Sequence, residues 1–146
     1  MNLITFDTVF NKSVNTNNPV MENYSIEATA STPSINFDMV SGVLEIKGRS
    51  IPENSIEFYL PLFSVLDKFI SNPTSSINVT IHLEYYNSSS SACIFNVLKK
   101  LESIHKEGCP VNVNWLYEEE DEDTLNAGKN YQTIVSLPFK MIQVAG

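Results

Sequence analysis

The sequence predicts a single α/β domain in which helices pack against one mixed β-sheet. Two observations predict this fold class. Apolar residues recur at spacings of three and four in two long segments, and short β-branched runs lie before and after them. In chain order the predicted elements are β-β-α-β-α-β-(α)-β, so a hairpin is followed by crossover connections between parallel strands. The 146 residues, 42% of them hydrophobic, are enough for one domain with its own core.

Residues 1–30 are predicted to be a poorly ordered N-terminal extension. The first twenty residues hold five asparagines and scattered apolar residues with no sustained period, apart from a short strand predicted at Leu3–Phe6. Met21 directly precedes the segment that leads into the domain, and we interpret it as the natural start of the protein. The folded domain is expected to cover residues 31–146.

The first predicted structural unit is a hairpin followed by a helix. Ile35–Asp38 and Val43–Gly48 are predicted strands, joined by a turn at Ser41-Gly42. Ser50-Ile51-Pro52-Glu53 has the pattern of a capping box, with Pro52 in the first helical turn. Asn72-Pro73 ends the helix. Its predicted core face comprises Ile56, Tyr59, Leu60, Phe63, Leu66, Phe69 and Ile70.

The second unit is a strand at Ile77–Tyr86 followed by another helix. Ile77, Val79, Ile81 and Leu83 alternate with polar residues, which is typical of a half-covered strand. The helix is predicted by the apolar spacing of Ile94, Phe95, Val97, Leu98, Leu101 and Ile104, and Gly108 stops it.

The remaining chain is predicted to hold two strands and a short helix. Val111–Tyr117 and Leu137–Val144 are the strands, and Pro138 is tolerable near the start of an edge strand. Thr124–Tyr131 is the short helix, and the acidic run Glu118–Asp123 is interpreted as a solvated loop. Trp115 is expected in the core.

Composition disfavours several classes of function. A net charge of −8 disfavours nucleic acid or an anionic membrane as the main partner, and no run is long enough to span a bilayer. The N-terminus shows no secretory signal pattern, and the two cysteines, Cys93 and Cys109, do not form a disulfide framework, so a cytoplasmic location is expected. No histidine or cysteine spacing indicates a metal site, and no cofactor motif is present.

The most informative segment runs from Tyr85 to Ser91 and holds four consecutive serines where a strand passes into a helix. A helix N-terminus binds anions and tolerates a phosphoryl group. The simplest structural explanation is that Asn87 or Ser88 is an N-cap, which would account for one polar residue but not for four. An anion- or nucleotide-binding module at the same place is an alternative. A serine hydrolase is disfavoured, because only His82 and His105 could serve as the base and no nucleophile elbow is present.

Five segments in this order and spacing resemble a known family over roughly residues 31–144, the SiaC-type bacterial regulatory phosphoproteins. They are Ser31-Thr32-Pro33, Gly48-Arg49-Ser50-Ile51-Pro52-Glu53-Asn54, Phe58-Tyr59, Tyr85-Tyr86-Asn87-Ser88-Ser89-Ser90 and Val113-Asn114-Trp115-Leu116-Tyr117. The resemblance implies a STAS-like fold, similar to that of anti-sigma factor antagonists, and a partner switch that is not itself an enzyme. It further implies a dedicated protein kinase, a PP2C-type phosphatase, and an effector that the dephosphorylated form activates. In SiaC-type systems that effector is a diguanylate cyclase, which links the module to cyclic di-GMP signalling.

The resemblance also assigns site residues. The phosphoacceptor follows the asparagine, which makes it Ser88; the family pattern has threonine there, and Ser89 is the second candidate. Phosphate at this helix start would have to be desolvated or paired by a partner, so binding should fall when it is present. The residues expected to contact partners are Tyr85, Tyr86, Asn87, Ser89 and Ser90.

Overall fold

The computed structural model describes residues 23–71 and 76–145 and confirms a single α/β domain with a mixed sheet. Six strands lie side by side in sequence order; the first three are antiparallel, and parallel pairing begins between the third and the fourth. The strands are β1 Tyr24–Ile26, β2 Ser34–Asp38, β3 Val43–Ser50, β4 Ile77–Tyr86, β5 Val111–Glu118 and β6 Phe139–Val144. The helices are α1 Ser55–Ser71, α2 Ser88–Lys106 and α3 Glu122–Ile134.

The helices cover one face of the sheet, and in residues 23–71 and 76–145 no helix lies on the other face. On the covered face, one register row consists of the fully buried Ile35, Ile46, Ile81 and Trp115. The next row, on the open face, is polar and exposed or half-buried: Asn36, Glu45, Thr80, Asn114 and Lys140. The polar alternation predicted for β4 therefore reflects a sheet with helices on a single side.

The start of α1 differs from the prediction. β3 continues through Ser50, which pairs with Tyr86 of β4, so the predicted capping box at Ser50 is wrong and Pro52 precedes the helix. The cap is Asn54, whose Oδ1 accepts a hydrogen bond from the Glu57 backbone amide at 3.0 Å. Pairing with β4 therefore places Ser50 in the sheet, although the local sequence around it fits a helix-capping motif.

The core face of α1 is also rotated relative to the prediction. Tyr59, Leu62, Leu66 and Phe69 are fully buried, in the spacing expected for a face that packs on the sheet. The predicted face included Ile56 and Leu60, and this is wrong, because these side chains are 67% and 54% exposed. Leu62, absent from the predicted face, lies inside.

β4 carries a bulge near its end. Gly48 of β3 pairs with Leu83, but the next residue, Arg49, pairs with Tyr85, so Glu84 is an extra residue on β4. A one-residue shift exchanges the two faces of a strand. Tyr85 therefore shares the open face with Arg49, while Tyr86 pairs with the buried Ser50 on the helix side.

The acidic run is not a simple loop. Glu118 ends β5, Asp121 caps α3, and Glu122 with Asp123 forms the first turn of that helix. Asp121 Oδ1 accepts from the Thr124 amide at 3.0 Å, so this part of the run has a capping function. Carboxylates in a first turn also stabilise the positive end of the helix dipole.

The N-terminal boundary of the sheet precedes Ser31. β1 at Tyr24–Ile26 pairs antiparallel with β2, so the predicted extension through residue 30 includes a strand of the domain. The strand predicted at Leu3–Phe6 and the start predicted at Met21 lie outside the described residues. Among the residues that are described, no helix is long and apolar enough to cross a membrane.

Candidate functional site

The four serines lie at the corner where β4 passes into α2, as predicted. β4 ends at Tyr86 and α2 begins at Ser88, with Asn87 in an extended conformation between them. Asn87 Oδ1 accepts from the Ser90 backbone amide at 2.9 Å, and the Asn87 amide donates to the Ser50 carbonyl at 3.1 Å. Asn87 is therefore the N-cap of α2 and joins this helix to the end of β3.

A continuous series of hydrogen-bonded side chains runs beneath the corner, and we call it the hydroxyl chain. Its members are Tyr59, Ser50, Ser90, Ser55, Ser89 and Asn87. Ser50 Oγ donates to Ser90 Oγ at 2.8 Å, and Ser89 Oγ donates to Asn87 Oδ1 at 3.1 Å. The three other links are Tyr59 to Ser50 at 2.7 Å, Ser90 to Ser55 at 3.3 Å and Ser55 to Ser89 at 2.8 Å.

The direction of every bond in the hydroxyl chain follows from the two fixed donors. Each hydroxyl carries one proton. Since Ser50 gives its proton to Ser90, Tyr59 must donate to Ser50. Since Ser89 gives its proton to Asn87, Ser55 must donate to Ser89, and this leaves Ser90 to donate to Ser55. Burial raises the pKa of Tyr59 to about 12, so its donor proton is retained at neutral pH.

The four serines have different surroundings. Ser88 and Ser89 are exposed, Ser90 is fully buried, and Ser91 is half-buried. Within residues 23–71 and 76–145, the Ser88 hydroxyl makes no hydrogen bond to another group. Ser91 Oγ lies 2.8 Å from the hydroxyl of Tyr131, which itself donates to the Ser91 carbonyl at 2.9 Å.

These positions correct one expectation about partner contacts. Ser90 was expected to contact a partner, and this is wrong, because its side chain has no exposed surface. Asn87 is half-buried and its side-chain oxygen is occupied by Ser89 and Ser90. Ser88 and Ser89 remain available at the surface.

The two tyrosines before the corner face opposite sides of the sheet. Tyr85 is 57% exposed, and the Arg49 guanidinium lies 5.9 Å from its ring centroid on the open face. Tyr86 is half-buried on the helix side. Burial raises the pKa of Tyr86, and Tyr131, Asp121 and Asp123 contribute to the same shift. The negative charges at the start of α3 therefore act on Tyr86.

Among the described residues, neither histidine is placed to act as a base for the serines of the corner. His105 lies near the opposite end of α2, where its Nδ1 accepts from the Val111 amide at 3.0 Å. His82 pairs with Lys47 on the open face of the sheet. In the described part of the chain, no group of three histidine, cysteine or acidic residues could hold a metal ion, and Cys93 and Cys109 are buried free thiols. A surface hydroxyl without a base can accept a group from an enzyme but is not itself activated.

Sequence reasoning missed three members of the site: Ser50, Ser55 and Tyr59. One signal for Ser50 was present, because it continues the alternation of Leu44 and Ile46, which predicts a side chain on the covered face. A serine at such a position needs a buried hydrogen-bond partner. Nothing in the local pattern identified that partner as Ser90, which is 40 residues away.

Comparisons with known proteins agree with this architecture. The family model for SiaC family regulatory phosphoproteins matches residues 26–144. An uncharacterized protein of Pseudomonas aeruginosa (strain UCBPP-PA14) is 30% identical over 119 residues, which are 82% of this chain and 94% of the relative. Apo-SiaC from Pseudomonas aeruginosa is 29% identical with a TM-score of 0.77, over 84% of this chain and 99% of that one. SiaC in complex with diguanylate cyclase SiaD, which it activates, is 29% identical with a TM-score of 0.78, over 83% and 99% of the two chains.

Proposed function

Because this chain belongs to the SiaC family of regulatory phosphoproteins, we propose that it is a non-enzymatic partner switch controlled by phosphorylation of Ser88. A dedicated protein kinase adds the phosphoryl group and a PP2C-type phosphatase removes it. The dephosphorylated form binds and activates an effector, and the complex of the relative SiaC with SiaD supports a diguanylate cyclase in that role. The two buried free cysteines support action in the bacterial cytoplasm.

The observation that carries the choice of Ser88 is the difference between it and its neighbours. Ser90 is buried, and the Ser91 hydroxyl is hydrogen-bonded to the hydroxyl of Tyr131. Ser89 is exposed, but its proton is donated to Asn87 and its oxygen accepts from Ser55. Esterification of Ser89 would remove that donor and interrupt the hydroxyl chain, whereas Ser88 can be modified without breaking any bond between the described residues.

The helix start also suits a phosphate group. Ser88 occupies the first position of α2 and Asn87 caps the amide of the third, so the first two amides remain available to a phosphate oxygen. A phosphoryl group adds about −1.5 to −2 charges at the positive end of the helix dipole. The modified state is thus tolerated by the fold while the surface at Ser88 gains negative charge.

The switch would operate at the interface with the effector. A partner that covers the dephosphorylated corner meets an uncharged hydroxyl beside Asn87 and Ser89. After phosphorylation the same partner must desolvate a dianion or supply a cation to pair with it, and without such a cation binding falls. This cost supports a switch in which the dephosphorylated form is the active one.

Two substitutions test the proposal. Ser88→Ala should keep effector binding and lose phosphorylation, while Ser88→Asp should weaken binding. Intact mass after incubation with the cognate kinase and ATP measures the transfer, and calorimetry with the diguanylate cyclase from the same genome measures affinity. Ser91→Ala is the matched control, because this neighbour is expected to accept no phosphate and its variant should still gain one phosphoryl group.

Several outcomes would contradict the proposal. Unchanged phosphorylation of Ser88→Ala would exclude Ser88 and direct attention to Ser89. Equal effector binding by the Ala and Asp variants would exclude control of binding through this residue. A phosphate- or nucleotide-induced thermal shift of the unmodified protein, with no transfer by the kinase, would favour an anion-binding module instead.

A further inference from the structure

The four serines at the start of α2 carry the same hydroxyl group, so acceptor chemistry alone does not select among them. Ser90 is buried, and Ser91 is half-buried with its hydroxyl oxygen 2.8 Å from that of Tyr131. Ser88 and Ser89 are both exposed, and the Cα atoms of adjacent residues are about 3.8 Å apart. A kinase that docks on the corner therefore meets two surface serines, and these differ in the hydrogen bonds that they make.

The Ser89 hydroxyl is held by two bonds to neighbouring side chains. It donates its proton to Asn87 Oδ1 at 3.1 Å, and its oxygen accepts from Ser55 Oγ at 2.8 Å. Within residues 23–71 and 76–145, the Ser88 hydroxyl makes no such bond. The Ser89 side chain is therefore held against the protein, whereas the Ser88 side chain can turn outward without losing a bond to the described residues.

Phosphoryl transfer to a serine uses both functions of its hydroxyl group. A lone pair of the oxygen forms the new O–P bond to the γ-phosphorus of ATP, the bond to the bridging oxygen breaks, and ADP leaves. The hydroxyl proton passes to a base of the kinase. In Ser89 one of the two lone pairs receives the Ser55 proton, and the hydroxyl proton is directed to Asn87. Rotation of the Ser89 side chain toward ATP breaks both bonds.

The hydroxyl chain makes Ser55 a donor to Ser89. Ser55 receives the proton of Ser90, 3.3 Å away, so its own proton is directed to Ser89. Ser90 in turn receives the proton of Ser50 at 2.8 Å. Ser50 and Ser90 are fully buried and Ser55 is 3% exposed, so water does not readily replace these bonds. The bond from Ser55 to Ser89 is thus fixed by buried side chains on other elements.

We propose that Ser55 determines the specificity of phosphorylation, because its hydrogen bond withholds Ser89 from the kinase and leaves Ser88 as the acceptor. Ser55 lies on α1, 34 residues before Ser89, so a tertiary contact makes the selection between neighbouring serines. Ser55 is a positioning residue, since it acts through the Ser89 side chain. This inference rests on the proposed function, because it specifies how the acceptor of the switch is selected.

The test measures transfer to Ser89 in a background that lacks Ser88. Full-length Ser88→Ala and Ser55→Ala/Ser88→Ala are incubated with the cognate kinase and ATP, intact mass gives the rate, and tandem mass spectrometry locates the phosphate. The first variant should show only background transfer. The second should gain a phosphoryl group on Ser89 at least about fivefold faster, the factor that corresponds to one typical hydrogen bond. Ser55→Ala alone should still be phosphorylated on Ser88, because Asn54 continues to cap α1 through the Glu57 amide.

Ser88→Ala/Ser90→Ala is the matched control. It also removes a buried hydroxyl from the hydroxyl chain, but it leaves the bond between Ser55 and Ser89 in place. The cap of α2 is retained too, since Asn87 accepts from the backbone amide of residue 90. This variant should therefore stay at background transfer, even though urea unfolding should show that it is less stable than Ser88→Ala.

Three other results would overturn the inference, and they are distinguishable. Background transfer in Ser55→Ala/Ser88→Ala, with Ser55→Ala still phosphorylated on Ser88, would remove the role of Ser55 and leave the proposed switch intact. Equal transfer to Ser89 in both double variants would assign the effect to a loosened helix start. Phosphorylation of Ser88→Ala at the wild-type rate would contradict the proposed acceptor itself, and the selection by Ser55 with it.

Discussion

Replacement of the buried serine of the corner by alanine tests the hydroxyl chain directly. Ser90 accepts from Ser50 and donates to Ser55, and all three side chains are buried. Ser90→Ala removes one oxygen from the middle of this chain. One of the two protons of the Tyr59–Ser50 pair then has no acceptor, and Ser55 loses one of its two partners. The N-cap is unaffected, because Asn87 bonds to the backbone amide of residue 90.

The expected cost can be estimated from these contacts. A buried polar group that loses its partner costs about 1–3 kcal/mol. Ser50 is fully buried and Ser55 is 3% exposed, so water cannot easily replace the missing bonds. Alanine recovers about 0.5 kcal/mol through its higher helix propensity. The net loss should be about 2 kcal/mol, which is a large part of the roughly 5–15 kcal/mol that stabilises an ordinary domain.

Urea unfolding followed by circular dichroism measures this loss, with Ser88→Ala as the matched control. Ser88 is exposed, so its replacement should change the free energy of unfolding by no more than about 0.5 kcal/mol. Ser90→Ala should unfold at a clearly lower urea concentration with an unchanged slope. Identical midpoints for the two variants would show that the hydroxyl chain contributes nothing and would refute the reasoning.

Two further positions give predictions of stability. Gly128→Ala should destabilise the protein by about 1–3 kcal/mol in urea unfolding, because a Cβ atom there would collide with the buried indole of Trp115. Glu102→Gln should make the free energy of unfolding, measured in urea as a function of pH, fall less steeply on the acid side (the acid limb). The Lys99 ammonium at 2.6 Å, followed by the Ser136 amide at 2.5 Å, lowers the pKa of Glu102 to about 2 from 4.5. Because the pKa of Glu102 is lowered in the folded state, its ionised carboxylate stabilises the fold above pH 4.5. That contribution to the free energy of unfolding is lost as pH falls toward 2.

Both predictions have controls of matched chemistry. Asn126→Ala introduces the same side chain at an exposed position of α3 and should leave the unfolding midpoint nearly unchanged. Glu107→Gln removes an exposed carboxylate just after α2 and should keep the wild-type acid limb. If Gly128→Ala were as stable as Asn126→Ala, the tight contact with Trp115 would be disproved. A wild-type acid limb in Glu102→Gln would assign the pH dependence to other carboxylates.

Local patterns were sufficient to predict the strand-to-helix corner. The alternation of β4 and the apolar spacing of α2 both depend on neighbours in the chain, and they leave a polar interval at Asn87 and the serines. The N-cap could be predicted for the same reason, since Asn87 bonds to an amide three residues later. Contacts within one turn of helix are therefore accessible from the sequence.

The hydroxyl chain and the start of α1 could not be predicted in this way. The bond between Ser50 and Ser90 joins residues 40 positions apart, and no local rule selects that pair. Ser50 also satisfied a capping rule with Glu53, but pairing of β3 with β4 through Tyr86 placed it in the sheet. Ser50 fits both a local capping motif and a strand pairing, and the strand pairing determines its conformation.

The bulge determines which tyrosine lies beside the proposed acceptor. Without the bulge, with Glu84 in regular register, alternation from Leu83 would place Tyr85 on the helix side and Tyr86 on the open face. Gly48, which precedes the change of register, has a φ of 121°, in a region that favours glycine. This local backbone irregularity exchanges the two side chains and brings Tyr86 to the helix side.

The exchange of the tyrosines fixes the charge environment in which a phosphate on Ser88 would act. Arg49 remains on the open face over Tyr85, whereas the charges of Asp121 and Asp123 act on Tyr86 and contribute to its raised pKa. A phosphate at the corner would add its charge to these carboxylates, and its favourable contacts within the chain would be the first amides of α2. Under the proposed function we therefore expect little rearrangement of the domain after phosphorylation. The signal would be transmitted by repulsion and desolvation at the surface that the effector covers, because the fold offers the phosphate a tolerant site but no strong new partner.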